Sequence, residues 1–388
     1  MDKKPEKLVP EVRFKGFTDD WEQRKFDNVV KRINDKDDNH ELPHIEFENI
    51  ISGNGTLNKN IKDLNSKKIG TKFQKEDILF GKLRPYLKNW YFAKENGIAV
   101  GDFWVLRAKK ISVFVYYLIQ TEKFYSIANL SSGSKMPRSD WNLVSNSRFN
   151  FPENTIESIK IGNLILQLDK LITLQQRKLE QLKRLKTAML QQLLANQSFP
   201  KVRFNDFKDS WKDYRLGEVF DEFSVKSKRE NEYKLLSSTT SGMESRSGRV
   251  SGHSNIGYKV IDNGDIVLSP QNLWLGNINL NNMGKGIVSP SYHTFKIVNA
   301  NPIFVNFQLK TKKMLFEYKM VSVQGASIVR RNLDMDAFKK IVIKIPNEKE
   351  QIKIASLFSS ISNIINNHQN KLTQLTTLKK YLLQKMFI

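Results

Sequence analysis

At 388 residues, 39% hydrophobic and 11% aromatic, the chain holds enough apolar matter for more than one core. Its 63 Lys+Arg against 40 Asp+Glu leave a formal charge of +23, spread along the sequence rather than held in one run, which points to a folded surface for DNA or RNA and away from a disordered basic tail. The lack of cysteine excludes disulfides and thiolate metal sites, and with no apolar run of membrane-spanning length and none behind Met1-Asp-Lys-Lys-Pro-Glu-Lys7, a cytoplasmic protein is expected.

In chain order, Pro10-Glu-Val-Arg-Phe-Lys-Gly-Phe-Thr-Asp-Asp-Trp21 comes first, and it returns 190 positions later as Pro200-Lys-Val-Arg-Phe-Asn-Asp-Phe-Lys-Asp-Ser-Trp211. A period near half the chain is too long for a solenoid, so it signals a duplicated module and two tandem domains. His40 and His44 follow in an acidic, Pro-interrupted stretch and are expected to be solvated. Strands are predicted at 77–80 and 99–106, then a helix over 113–130. Between the two strands lies Phe80-Gly-Lys-Leu-Arg-Pro-Tyr-Leu-Lys-Asn-Trp90, basic and aromatic. If it faces DNA, Lys82, Arg84 and Lys88 suit guanine and phosphate, with Tyr86 beside them. After the helix, Ser131-Ser-Gly-Ser-Lys-Met-Pro-Arg-Ser-Asp-Trp141 sets a glycine, hydroxyls and basic groups close together, and Ser134, Lys135 and Arg138 become candidates for phosphate or base contact.

From 156 to 194 the pattern turns helical. Ile161, Leu164, Leu168, Leu171, Ile172, Leu179, Leu182, Leu185, Met189 and Leu193 recur at steps dominated by three and four, in a helix of about 39 residues and about 58 Å. A second such helix follows at an offset of 193, with Ile354, Leu357, Ile361, Ile364, Ile365, Leu372, Leu375, Leu378, Leu382 and Met386, and even the polar break repeats, Gln175 as His368. Two matched narrow stripes predict an antiparallel coiled-coil pair, with Leu164, Leu168, Leu179, Leu182, Leu357, Ile361, Leu372 and Leu375 as pairing residues and one head at each end. The helix length then acts as a ruler between the heads.

The second head repeats the plan with other residues. Strands are expected at 265–268 and 293–298, and a helix that Asn301 caps and Pro302 opens. Its loops are Ser269-Pro-Gln-Asn-Leu-Trp-Leu-Gly-Asn277, where Gln271 and Asn272 suit adenine, and Val323-Gln-Gly-Ala-Ser-Ile-Val-Arg-Arg-Asn-Leu333, with Gln324, Ser327, Arg330 and Arg331. Trp90 and Trp274 are expected in the cores.

The enzymatic alternatives are weak. Asn301-Pro-Ile-Phe304 departs from the Asn-Pro-Pro-aromatic motif of adenine methyltransferases at Ile303 and follows no glycine-rich cofactor loop. Glu-x-Lys triplets at Glu232 and Glu317 are expected by chance in so lysine-rich a chain, and no phosphate loop or metal-ligand spacing occurs.

The repeated Arg-Phe-x-x-Phe-x-x-x-Trp, Asp77-Ile-Leu-Phe-Gly-Lys-Leu-Arg-Pro-Tyr86, the Gly-Ser/Ala-Ser loops and the Lys-Leu-x-Gln-Leu runs at 178–182 and 371–375, given in one order twice, resemble the specificity subunit of type I restriction-modification enzymes. The resemblance implies an α+β chain with two mixed α/β target recognition domains in pseudo-twofold arrangement, at 1–155 and 197–347, separated by spacer helices at 156–196 and 348–388. It implies a noncatalytic subunit without cofactor or metal, one that reads a bipartite asymmetric site in double-stranded DNA and scaffolds two methyltransferase subunits and restriction/translocase subunits. A nonspecific architectural DNA binder or a self-sufficient DNA-modifying enzyme is the alternative.

Overall fold

The computed structural model describes residues 8–130, 136–194, 196–246, 254–324 and 331–388. The chain divides into two compact units, one made of residues up to 176 together with 370–388, the other of 177–369. Each therefore takes chain from both ends of the sequence repeat.

In the first unit, Val30–Ile33, Phe103–Ala108, Ile78–Gly81 and Trp90–Phe92 form an antiparallel sheet in that order. Alternate side chains leave a strand on opposite faces, so Ile78, Phe80, Trp104 and Leu106 join a core with the helices, while Leu79, Phe103 and Val105 join a second core. A sheet buried on both faces explains why Ile78–Gly81 and the 103–106 stretch carry no polar side chain. The second core is closed by Lys36–Asp37, Gly70–Phe73, Gly97–Val100 and His44–Glu46, where Gly97–Val100 runs parallel to His44–Glu46. His44 is buried in that sheet, its Nδ1 2.9 Å from the Leu42 carbonyl, and so is not solvated as expected; His40 is exposed.

Two predicted elements are divided. The strand expected over 99–106 breaks at Gly101, whose φ of +98° suits glycine, and its halves enter different sheets. The helix expected over 113–130 stops and restarts as Ser112–Leu118 and Glu122–Ala128. Thr121 makes the joint: its hydroxyl donates to the Leu118 carbonyl and accepts from the Phe124 amide.

The second unit repeats the order of the first sheet with Phe220–Phe223, His293–Ile297, Ile266–Leu268 and Ile278–Leu280; its other sheet, Met243–Ser245, Lys234–Ser238, Gly286–Val288 and Lys259–Ile261, keeps the parallel pair but gains Met243–Ser245 at one edge and has only a bridge at Lys226 at the other. Pro302–Gln308 begins as predicted, Asn301 Oδ1 accepting the amides of Ile303 and Phe304 at 3.0 Å each, which makes Asn301-Pro302 a helix start. Thr311 then caps Lys312–Met320 as Thr121 caps its counterpart.

The long helices are Thr155–Leu193 and Glu348–Lys385. In the first unit, Phe114 touches Phe387 at 5.0 Å between ring centroids and packs so close to Gly162 that a Cβ there would lie 3.0 Å from its amide. Three residues on, the Tyr117 hydroxyl donates to Asp169 at 2.9 Å and the Lys379 ammonium lies 5.6 Å over the Tyr117 ring. The helical stretches therefore run antiparallel within this unit, tied by Lys379 to Asp169 at 2.7 Å. In the second unit Lys186 donates to Ser362 at 2.8 Å and lies 5.4 Å over Phe307, the same contact carried by the 193-residue offset.

The apolar stripe is narrower than predicted. Leu164, Leu168 and Leu375 pack in the first unit's core, and Leu357 and Ile361 in the second's; Leu179 is buried, while Leu182 and Leu372 are half-buried. Leu171, Leu185, Ile364 and Leu378 stay exposed, because the inward faces are already filled by the heads' own helices.

The repeated opening motif serves as a clamp. Arg13 and Arg203 make bidentate pairs with Glu157 and Glu350 at 2.6–2.9 Å, and both carboxylates are fully buried. Charge-assisted bonding raises both arginine pKa values. Lys160 covers Phe14 and Phe17 as Lys353 covers Phe204 and Phe207, and Trp21 and Trp211 meet Phe114 and Phe304 edge-on at 5.8 Å.

Candidate nucleic-acid interface

In the first head the two basic loops, about fifty residues apart in sequence, form one surface. Arg84 N donates to the Pro137 carbonyl at 2.7 Å and Ser139 N to the Lys82 carbonyl at 2.9 Å, so the segment carrying Arg138 is stitched alongside Lys82 and Arg84. Pro85–Leu87 forms a short turn between two residues in the left-handed region, Arg84 at φ 48° and Lys88 at φ 57°. The turn holds Tyr86 outward at 55% exposure, and Met136 stands exposed beside the loop.

Asp102, which sequence reasoning passed over, accepts from Arg138 at 3.1 Å and pairs with Lys82 at 3.6 Å. It lies in the bend after Gly101, where only the folded chain brings it to the cations. Both cations remain partly exposed, so the carboxylate aims them without removing them from solvent. Lys88 lies 5.6 Å over the Tyr125 ring. Arg84 is half-buried, and its Nε is buried without a hydrogen-bond partner among the described residues.

The second head joins its two loops in the same way, Arg331 N donating to the Gln271 carbonyl at 3.2 Å. Gln271 is exposed and Asn272 half-buried. Trp274 is not a core residue: it is half-exposed, with the Arg331 guanidinium 5.1 Å over its ring, whereas Trp90 is buried as expected. Arg331 also donates to the Ser322 carbonyl at 3.3 Å. Ser134, Lys135, Ser327 and Arg330 lie outside the described residues, as does the side chain of Gln324.

Behind this loop is a polar interior that the first head, among the described residues, lacks. Ser238 donates to Asn277 at 2.6 Å, Asn279 donates to Ser238 at 2.7 Å, and the Lys310 ammonium donates to the Gly276 carbonyl at 2.8 Å and to Asn279 Oδ1 at 2.7 Å. Burial draws the Lys310 pKa down to about 8. By strand register, Phe47 of the first head stands where the second has Ser238, and it packs on Phe103. The same frame thus supports its loop with aromatic rings in one head and with amides and an amine in the other.

Among the described residues no cluster of His, Asp or Glu could hold a metal, and no helix is long and apolar enough to cross a membrane. Glu232, first of one Glu-x-Lys triplet, accepts the amides of Lys228 and Arg229 and holds a turn.

Each unit thus carries a diverged loop surface on a duplicated frame, and residues 208–377 match the family described as the type I restriction modification DNA specificity domain. No curated protein matches the chain. Among solved structures, it is similar to the type I restriction-modification S subunit from M. genitalium, with a TM-score of 0.63 at 14% identity, over 98% of this chain and 99% of that one. It is also similar to a chain from a study of complex assembly and conformational transition of the type I R-M system, with a TM-score of 0.50 at 16% identity, over 98% of both chains. Residues 208–377 thus match the type I specificity-domain family, and the chain as a whole shares the fold of the M. genitalium S subunit.

Proposed function

We propose that the chain selects DNA for a type I restriction-modification complex by reading a bipartite, asymmetric site, one half with each head. Residues 1–155 and 197–347 are the target recognition domains, and 156–196 and 348–388 the spacer helices. Lys82, Arg84, Tyr86, Lys88, Ser134, Lys135 and Arg138 serve the first half-site. Gln271, Asn272, Gln324, Ser327, Arg330 and Arg331 serve the second. The helix pair docks two methyltransferase subunits and restriction/translocase subunits join them, so methylation and cleavage are the partners' chemistry and this chain takes no cofactor. Exposed Leu171, Leu185, Ile364 and Leu378 are apolar ground for that docking.

The observation that carries the reading is the repeated stitching of two loops into one surface, cationic in one head and amide-rich in the other. Unlike surfaces on like frames suit an unlike pair of half-sites.

The test is genome-wide adenine-methylation mapping in cells holding the methyltransferase subunit with and without this chain. A split asymmetric motif that appears only with the chain supports the reading; unchanged methylation with the complex assembled overturns it. Arg138→Ala is expected to cost about 1–3 kcal/mol at the first half-site and nothing at the second. Equal loss on every sequence would make Arg138 a phosphate contact.

A further inference from the structure

The strand pairs that flank the first loop of each head have the same register, Trp90 opposite Phe80 and Ile278 opposite Leu268, and the loops between them are equally long. The residues therefore correspond one to one: Tyr86 with Trp274, Leu87 with Leu275, Lys88 with Gly276. Their surroundings have diverged, Arg84 standing against Asn272 and Pro85 against Leu273, yet each tip keeps an aromatic followed by a leucine. In both heads these residues sit on the same short turn, Pro85–Leu87 or Leu273–Leu275, closed by a left-handed residue at φ 57° or 86°. Leu87 and Leu275 are 37% and 41% exposed.

Both turns are braced from behind, by unrelated contacts. In the first head Ser52 donates to the Leu87 carbonyl and Gly53 N to the Lys88 carbonyl. In the second, Lys310 donates to the Gly276 carbonyl and Arg331 N to the Gln271 carbonyl. Retaining an apolar tip in water, and in the first head closing it with a lysine in the left-handed region, is a stability cost that a purely structural turn has no need to bear. Cations border both tips, Lys82, Arg84 and Arg138 in one and Arg331 in the other. An aromatic and an aliphatic side chain, fixed in direction and framed by positive charge, match a duplex base step opened by an apolar wedge.

We propose that Tyr86-Leu87 and Trp274-Leu275 are equivalent wedges, each pressed against the base stack of its half-site so as to open one step. This rests on the DNA-reading function proposed above. The wedges supply binding that depends on how easily a step deforms, while the flanking Arg, Gln and Asn groups read base edges.

The test uses the full chain assembled with methyltransferase subunits and duplexes carrying the mapped site, with 2-aminopurine placed at each step in turn away from the methylated adenines and their neighbours, which the methyltransferase unstacks by itself. Fluorescence is expected to rise at one step per half-site. Tyr86→Ala with Leu87→Ala should restore quenching in the first half alone and weaken binding about tenfold; Trp274→Ala with Leu275→Ala should do the same in the second. Tyr86→Phe and Trp274→Phe should keep the signal, which separates ring contact from a folding defect. Quenched probes throughout with wild-type protein, and full affinity in both double variants, would overturn the wedges and leave site choice standing. A complex with no preferred site would overturn the DNA-reading function and the wedges with it.

Discussion

Lys310 places a pH-sensitive amine behind the second loop. Its amine titrates near 8 in the folded chain, against about 10.4 when exposed. Between those values the unfolded chain holds a proton that the folded one has released, so this residue makes stability rise with pH across the window and is most costly below 8. Lys310→Gln, which copies Gln120 at the matching place in the first head, should abolish that rise. Denaturant unfolding at pH values from 7.5 to 10 should show a difference in pH dependence on the order of 1–3 kcal/mol between the two proteins. A lysine in so basic a chain gives no sign in sequence that it is buried, since only the fold closes the amide network around it. Asp102 escaped notice for the same reason, while Arg138 was visible through its composition-rich loop.

At the scale of elements, the duplicated anchors were legible because they do the same work twice. Arg13 and Arg203 recur at one offset, Glu157 and Glu350 at another, and the clamp requires both members. The long helices were legible from period alone. The break at Gly101 and the restart at Thr121 were not, because an apolar run reads alike whether it lies in one sheet or passes between two. Glu350→Ala leaves the Arg203 guanidinium nearly buried without its carboxylate, an expected loss of about 3 kcal/mol or more. Hydrogen exchange should accelerate around 200–211 and 348–358; protection retained there would show the clamp to be dispensable. The loops were found as segments, but their stitching depends on backbone bonds between Arg84 and Pro137 and between Gln271 and Arg331, which no pattern announces.

On the scale of the whole molecule, each unit is completed by a helix that the other half of the sequence supplies. Leu382, Met386 and Phe387 are packed in the core that holds Trp21, Phe114 and Ile161. Removing residues 380–388 should therefore loosen the first head while leaving the second head's core intact. Limited proteolysis with fragment mapping checks this: early cuts are expected in 8–150, and cuts confined to the helix end would contradict it.

That closure also orders events during synthesis. The first 176 residues leave the ribosome without the segment that seals their core, which arrives only with residues 370–388. At about 10 residues per second the wait is about 20 s, during which an incomplete apolar surface is open to chaperones and to neighbouring nascent chains. The second unit has Leu193 and Leu194 already in place when its strands emerge. A chain duplicated in sequence is thus asymmetric in time, and its later half can mature before its earlier one.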